Sequence, residues 1–107
     1  MEITKEEFEK LNLVVGKIID VSEVPKSDKL LKIKISIGEN TKTVVSGIKK
    51  WYKKEELLGK KVILLENIKP AKFLGEISEG MILAASDGEN VSLLTVDKEI
   101  KEGSKVS

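Results

Sequence analysis

Leu30-Leu31-Lys32-Ile33-Lys34-Ile35-Ser36-Ile37 is the stretch that decides the fold. Its aliphatic residues at positions 31, 33, 35 and 37 alternate with polar residues, which is the period of a strand with one buried face. The aliphatic side chains are predicted to point into a core. Lys32 and Lys34 are predicted to point to solvent, so this strand has one apolar and one cationic face.

Further strands are predicted on both sides of this stretch. Gly16 interrupts the first of them, where a bend or bulge is expected. A short helix over residues 53–58, stopped by Gly59, is expected between the third and fourth strands. The other strands are predicted at Val14–Val24, Thr41–Val45, Lys61–Leu65 and Met81–Ala85.

Five strands with a short helix between the third and fourth predict an all-β OB-fold barrel, although a small sandwich of other topology gives a similar pattern. An OB-fold binds its ligand on the face of strands two and three and with the loops joining strands one to two and four to five. Lys32 and Lys34 then lie on the binding face. The one-to-two loop spans residues 25–29.

Both ends of the chain are predicted to extend the barrel. Thr4-Lys5-Glu6-Glu7 is a capping box that starts a short helix reaching about Lys10. Two helical turns are not stable alone, so this helix must pack on its own domain or on a partner subunit. Residues 1–13 are therefore expected to form a capped helix and residues 14–107 a barrel domain, with a C-terminal extension that contains a strand at Val91–Val96.

The connection from Asn67 to Met81 is predicted to be a functional loop. Pro70, Gly75 and Gly80 interrupt regular pairing within it, and loops of this length are usually functional or disordered. Lys69 and Lys72 lie on either side of the proline, which restricts the backbone and lowers the entropy lost when both ammonium groups bind phosphates.

The charge distribution favours a polyanionic partner. Residues 17–72 hold 14 Lys against 7 acids, residues 73–107 hold 3 Lys against 7 acids, and residues 1–16 have a balance of −2. All 19 cations are lysine. Because arginine is the residue that reads guanine edges in bidentate fashion, a chain without it is expected to hold nucleic acid by backbone and shape.

Composition argues against other classes. The chain has no cysteine and no histidine, so disulfides, thiolate metal sites and ordinary acid–base catalysis near pH 7 are disfavoured. We expect no enzyme activity, no metal and no cofactor. No apolar run approaches the ~20 residues of a membrane span, and the polar N-terminus does not resemble a signal peptide. A soluble cytoplasmic protein without a membrane partner is expected.

Six residues are candidates for RNA binding: Lys32, Lys34, Asn67, Lys69, Lys72 and Ser78. The lysines suit phosphates. For Asn67, a hydrogen bond to a base or sugar and a brace within its own loop are equally open, and Ser78 has the same two interpretations. Two interpretations are also open for three aromatic residues, which either stack on bases or pack in the barrel. These residues are Trp51, Tyr52 and Phe73.

Several motifs together resemble the tRNA-binding domain family. They are Val15-Gly16-Lys17-Ile18, Asp28-Lys29-Leu30, Val45-Ser46-Gly47-Ile48, Asn67-Ile68-Lys69-Pro70-Ala71-Lys72, Gly75 and Ser78-Glu79-Gly80-Met81-Ile82-Leu83-Ala84. This family includes the C-terminal domain or beta subunit of methionyl-tRNA synthetases, the dimeric structure-specific tRNA-binding protein and the endothelial monocyte-activating polypeptide II module.

The resemblance implies an OB-fold with a C-terminal extension that forms a homodimer and recognises tRNA by shape. The partners it implies are tRNA, a second copy of the chain and the catalytic subunit of methionyl-tRNA synthetase. By the same analogy, the N-terminal helix and the strand at Val91–Val96 are assigned to the dimer contact. A peptide-binding secretion chaperone resembles the same family and is the alternative.

Overall fold

The computed structural model describes all 107 residues. Its two helices are α1 (Lys5–Glu9) and α2 (Lys54–Leu57). Its strands are β1 (Leu13–Glu23), β2 (Leu31–Ser36), β3 (Thr41–Ser46), β4 (Lys61–Leu65), β5 (Ala71–Phe73), β6 (Glu76–Ser78), β7 (Met81–Ile82), β8 (Ala84–Ser86) and β9 (Val91–Leu93). The main sheet is antiparallel in the order β3-β2-β1-β4-β7, and β5-β6 and β8-β9 form two separate hairpins.

The alternation predicted for β2 is confirmed. Leu31, Ile33 and Ile35 are fully buried, whereas Lys34 is exposed and Lys32 is half-buried. The inward residues of β2 belong to one cluster of 13 buried aliphatic residues drawn from all five strands of the main sheet, from α2 and from β9. Removing this apolar surface from water is the main stabilising contribution to the barrel.

The barrel is closed at its seam by residues that precede β7. The Thr43 N–H donates to the Glu79 carboxylate at 2.8 Å, and the Glu79 N–H donates to the Thr43 carbonyl at 2.8 Å. The Val45 N–H donates to Ser78 Oγ at 2.9 Å. These bonds join the free edge of β3 to the end of the sheet that β7 forms, and the result is the nearly closed five-stranded OB-fold that the sequence predicts.

The irregularity predicted at Gly16 lies elsewhere in β1. Gly16 pairs in regular register with Val62, and the bulge lies between Ile18 and Asp20, where the pairing with β2 shifts. Gly16 serves a different purpose, because a Cβ atom there would overlap the Cγ2 atom of Ile35. The glycine permits close approach of two strands, and the strand bulges at Ile19 instead.

The predicted fifth strand is wrong in its second half. Met81 and Ile82 pair with β4, and the Leu83 N–H donates to the Ile63 carbonyl at 3.0 Å. Ala84–Ser86 then leaves the main sheet and pairs with Val91–Leu93. The strand predicted at Val91–Val96 is therefore three residues long, and Leu94 continues with a single bond to the Leu83 carbonyl at 3.1 Å.

The C-terminal segment runs along the start of β1. The Val15 N–H donates to the Ser104 carbonyl at 2.9 Å, and the Val106 N–H donates to the Leu13 carbonyl at 2.8 Å. The first half of β1 pairs with β4 along one edge. The C-terminal extension pairs with the other edge of the same half.

The capping box of α1 is confirmed. The Glu7 N–H donates to Thr4 Oγ1 at 3.1 Å, and the Thr4 N–H donates to the Glu7 carboxylate at 2.9 Å. Phe8 of this helix packs against a second cluster of buried residues on the outer face of the barrel, formed by Leu13, Val15, Ile63 and Leu65. Neither helix is long and apolar enough to cross a membrane.

Candidate nucleic-acid interface

The predicted loop between Asn67 and Met81 is largely a β-hairpin, so the expectation that it lacks regular structure is wrong. β5 and β6 pair directly, and the connection between them consists of Leu74 and Gly75. Their φ angles are 50° and 85°. Two consecutive residues with positive φ are the feature of a type I′ turn, whose twist matches that of the flanking strands.

The tip of this hairpin lies beside β2. Glu76, which pairs with Phe73 next to the turn, forms an ion pair with Lys32 of β2 at 2.9 Å. Both side chains are partly exposed, at 43% for Lys32 and 29% for Glu76, so the pair contributes little to stability. Its importance is geometric, because it connects the hairpin to the strand that the sequence identified as cationic.

The base of the hairpin lies over β3. A small cavity of about 110 Å³ lies between the hairpin and β3. Val45 of β3 and Lys69, which precedes the hairpin, are both in its lining. Val45 is the cross-strand neighbour of Lys32. The residues that line the cavity are Val45, Ile68, Lys69, Ala71, Phe73, Ser78, Gly80 and Met81.

Three of the four candidate lysines are brought to this region of the barrel. Lys32 and Lys34 project from the same face of β2, and Lys69 precedes the hairpin beside the cavity. Lys72 lies differently, since it pairs with Ile77 on the hairpin face opposite to the one that Ala71 and Ser78 present to the cavity. Lys34, Lys69 and Lys72 are exposed and have no ion-pair partner.

Asn67 is used within the chain. Its Oδ1 atom accepts a hydrogen bond from the Asn12 N–H at 2.8 Å, and its Nδ2 atom donates to the Lys10 carbonyl at 2.7 Å. These bonds attach the start of the predicted loop to the segment between α1 and β1. Of the two interpretations that the sequence left open, the geometry supports the brace.

Ser78 is also a brace. It is only 4% exposed, and its hydroxyl accepts from the Val45 N–H and donates to the Gly80 carbonyl, both at 2.9 Å. Its hydrogen-bonding capacity is directed into the seam of the barrel. The residue therefore holds the hairpin in place.

The aromatic pair between β3 and α2 packs within the protein. Tyr52 contacts the main core, and its hydroxyl accepts a hydrogen bond from the Leu93 N–H at 3.0 Å. Trp51 donates from Nε1 to the Glu89 carbonyl at 2.9 Å. Phe73 is the aromatic residue of the hairpin, and 41% of its surface is exposed.

The lysine run around these aromatic residues is partly neutralised. Lys49 forms an ion pair with Glu23 at 2.6 Å and also approaches the Ser27 carbonyl. The hydrogen bond and the positive charge of Lys49 hold the pKa of Glu23 below its ordinary value. This end of the barrel therefore offers less free positive charge than the sequence suggests.

Comparison with known proteins identifies the family. The family model described as "Putative tRNA binding domain" matches residues 13–105. The chain belongs to the tRNA-binding domain family. A methionine–tRNA ligase of Methanocaldococcus jannaschii is 59% identical to this domain over 100 residues, which cover 92% of the chain and 15% of the ligase. The domain thus spans about 15% of the length of such curated relatives.

Two solved structures have the same architecture as this tRNA-binding domain. A MetRS related protein from Pyrococcus horikoshii superposes with a TM-score of 0.92 and 35% identity over 100% of both chains. The chaperone CsaA from Bacillus anthracis superposes with a TM-score of 0.90 and 28% identity, also over 100% of both chains. The resemblance inferred from the sequence motifs is confirmed.

Proposed function

We propose that this domain binds structured tRNA through the outer face of β2 and the β5–β6 hairpin, without catalysing a reaction. The observation that carries the proposal is the ion pair between Lys32 and Glu76, which sets the hairpin and its lysines beside the cationic strand. This is the ligand face of an OB-fold. Membership of the tRNA-binding domain family supports tRNA as the RNA.

The lysines carry the contact in this proposal. The four candidate lysines bind phosphates as point charges: Lys32, Lys34, Lys69 and Lys72. Lys69 at the base of the hairpin and Lys72 on its outer face approach phosphates from different sides. Asn67 and Ser78 hold the hairpin in position. Because lysine lacks the bidentate geometry of arginine, the domain discriminates little among tRNA species and recognises their common shape.

The biological setting is part of the proposal. The domain raises the tRNA affinity of a methionyl-tRNA synthetase catalytic chain or acts by itself in the cytoplasm. The identity to methionine–tRNA ligases supports the first setting.

A homodimer completes the proposed binding protein. A groove between α1 and the C-terminal segment, of about 610 Å³, is lined by Phe8, Leu11 and Val106 and by polar residues at its rim. Leu11 is 39% exposed in this groove, beside Phe8 and Val106, which both pack against the second apolar cluster. A second copy that covers this surface gives the capped helix of residues 1–13 and the C-terminal extension of the barrel domain, residues 14–107, their predicted role.

Peptide binding by a dimeric chaperone is the second candidate. The likeness to the chaperone CsaA and the apolar groove beside α1 favour it. The two candidates differ in their physical basis, since phosphate binding weakens by roughly 0.7 to 0.9 log units per log unit of salt for each phosphate neutralised. Binding of an apolar peptide scarcely changes with salt.

Gel-shift titration at two salt concentrations tests the proposal. The purified protein is titrated against total tRNA and against an unstructured RNA of equal length. We expect tighter binding to tRNA and a steep loss of affinity at the higher salt concentration. Equal affinity for the two RNAs would overturn the proposed recognition of tRNA shape. No binding to either RNA at low salt would overturn the proposal and favour the chaperone.

A further inference from the structure

The residue at the tip of the β5–β6 hairpin is unusual for its position. Leu74 is the first central residue of the type I′ turn, with a φ angle of 50°. Asparagine, aspartate and glycine are favoured there, because a bulky side chain is strained at positive φ. Leu74 is also 64% exposed, so its side chain gains little burial in return.

The hairpin joining β8 and β9 provides an internal comparison. Its connection is polar, and Asp87 Oδ1 accepts hydrogen bonds from the Glu89 and Asn90 N–H groups at 3.0 and 2.7 Å. Gly88 takes the positive φ, at 100°. The same chain therefore uses ordinary turn residues in one hairpin and a strained leucine in the other, which points to a use for the leucine outside the fold.

Two neighbours make the tip an apolar surface. Phe73 is 41% exposed on the face of the hairpin that lines the cavity, Ile77 is 57% exposed on the opposite face beside Lys72, and both lie within three residues of Leu74. Exposed apolar residues that share one tip are a sign of a contact surface, whereas single ones are normal.

The charges around this tip indicate which partner it meets. Lys72 lies two residues before Leu74 in β5, Lys69 lies at the base of the hairpin beside the cavity, and neither has an ion-pair partner. The one carboxylate between residues 71 and 78 belongs to Glu76, which is paired with Lys32 at 2.9 Å. A surface with apolar side chains at its centre and unpaired cations at its rim suits a ligand with flat apolar faces and a polyanionic backbone.

We propose that the tip formed by Phe73, Leu74 and Ile77 contacts unpaired bases of the bound RNA, while the adjacent lysines hold its phosphates. This inference rests on the proposed tRNA binding and adds a base contact to it. Unpaired bases expose their faces, and apolar or aromatic side chains pack against them without reading their sequence. The contact therefore selects RNA that has splayed bases near the hairpin over an uninterrupted duplex.

Leu74→Asn is the decisive variant. Asparagine tolerates the left-handed region, so the turn and the unfolding midpoint are retained or improved. The tRNA dissociation constant is expected to rise about tenfold, the scale of one base-stacking contact. The slope of log affinity against log salt is expected to stay the same, because no cation is removed. Leu74→Met, which keeps an apolar side chain, is the matched control and is expected to bind like the wild type.

Dimethyl sulfate probing of the tRNA gives a second readout. Wild-type protein is expected to protect at least one unpaired base from methylation, and Leu74→Asn is expected to lose that protection while phosphate contacts persist. This inference is overturned if Leu74→Asn keeps the wild-type affinity and base protection. A lower salt slope in Lys69→Ala would show that the proposed function still stands. Loss of the dimer in Leu74→Asn by sedimentation would also overturn the inference, since the tip would then contact a second copy. Absence of salt-dependent tRNA binding by the wild type would overturn both.

Discussion

The Ser78 hydroxyl accepts a hydrogen bond from the Val45 N–H at 2.9 Å and so replaces a bond of the sheet ladder at the seam of the barrel. The same hydroxyl donates to the Gly80 carbonyl at 2.9 Å. One buried side chain thus helps to close the barrel and fixes the base of the hairpin, which carries Lys72 and follows Lys69. The fold and the proposed RNA-binding surface are coupled at this residue.

Ser78→Ala should lower the free energy of unfolding by about 1–3 kcal/mol, because the Val45 N–H is left buried without a partner. Urea denaturation measures the effect. Ser92→Ala, at an exposed position of β9, is the control and should change little. Equal stability of the two variants would contradict the role given to Ser78.

Asn67→Ala separates bracing from RNA contact. The variant loses two hydrogen bonds to the segment before β1, so its free energy of unfolding should fall by about 1–2 kcal/mol. Its salt slope for tRNA binding should equal that of the wild type. Unchanged stability together with weaker tRNA binding would instead identify Asn67 as a direct RNA ligand.

Leu11→Asp tests the proposed dimer. A carboxylate in the groove between α1 and the C-terminal segment must be desolvated when a second copy covers it, which disfavours association. Sedimentation velocity should show a dimer for the wild type and a monomer for the variant. Ile19→Asp introduces the same charge at a residue that is 44% exposed in the half of β1 that pairs with β2, and it should remain dimeric.

Acid should weaken the β8–β9 turn through Asp87. Hydrogen bonds from Asn90 and Glu89 hold the pKa of Asp87 below its ordinary value. The ionised carboxylate therefore stabilises the fold above the pKa of the unfolded chain, about 3.9, and this contribution is lost as the pH falls through the native pKa. Asp87→Asn should be less stable than the wild type at pH 7 and approach it in stability as the pH falls through the native pKa of Asp87. A difference that stays constant with pH would contradict this role.

Much of the barrel follows from local pattern. Alternation predicted β2, the sequence predicted the bounds of β4, and the Thr4 capping box predicted the start of α1. These features depend on neighbours in sequence, which periodicity and capping rules describe.

The remaining features depend on contacts between distant residues or on unfavourable local choices. Leu74 is not a typical turn residue, and the two strands of the hairpin are only three residues long. The sequence pattern therefore did not predict this hairpin. Gly16 indicated a bulge, but its missing Cβ reflects the close approach of Ile35. Residues 104–106 lack the alternation of apolar and polar residues that predicts a strand, so their pairing with β1 was not predicted.

The candidate site was predicted in part. Position in the fold brought Lys32, Lys34 and Lys69 to one region, as the OB-fold pattern implied. The bracing roles of Asn67 and Ser78 depend on partners far away in sequence, Asn12 and Val45, which residue type alone does not reveal.

The most direct test of the central claim is the salt slope of tRNA binding after removal of the proposed phosphate contacts. One variant replaces Lys32, Lys34, Lys69 and Lys72 by alanine, and a control with the same net charge replaces four other exposed lysines, Lys17, Lys60, Lys98 and Lys101. We predict that the first variant loses about three units of slope and most of its affinity, whereas the control stays close to the wild type. Equal losses in the two variants would contradict a binding surface made of β2 and the hairpin.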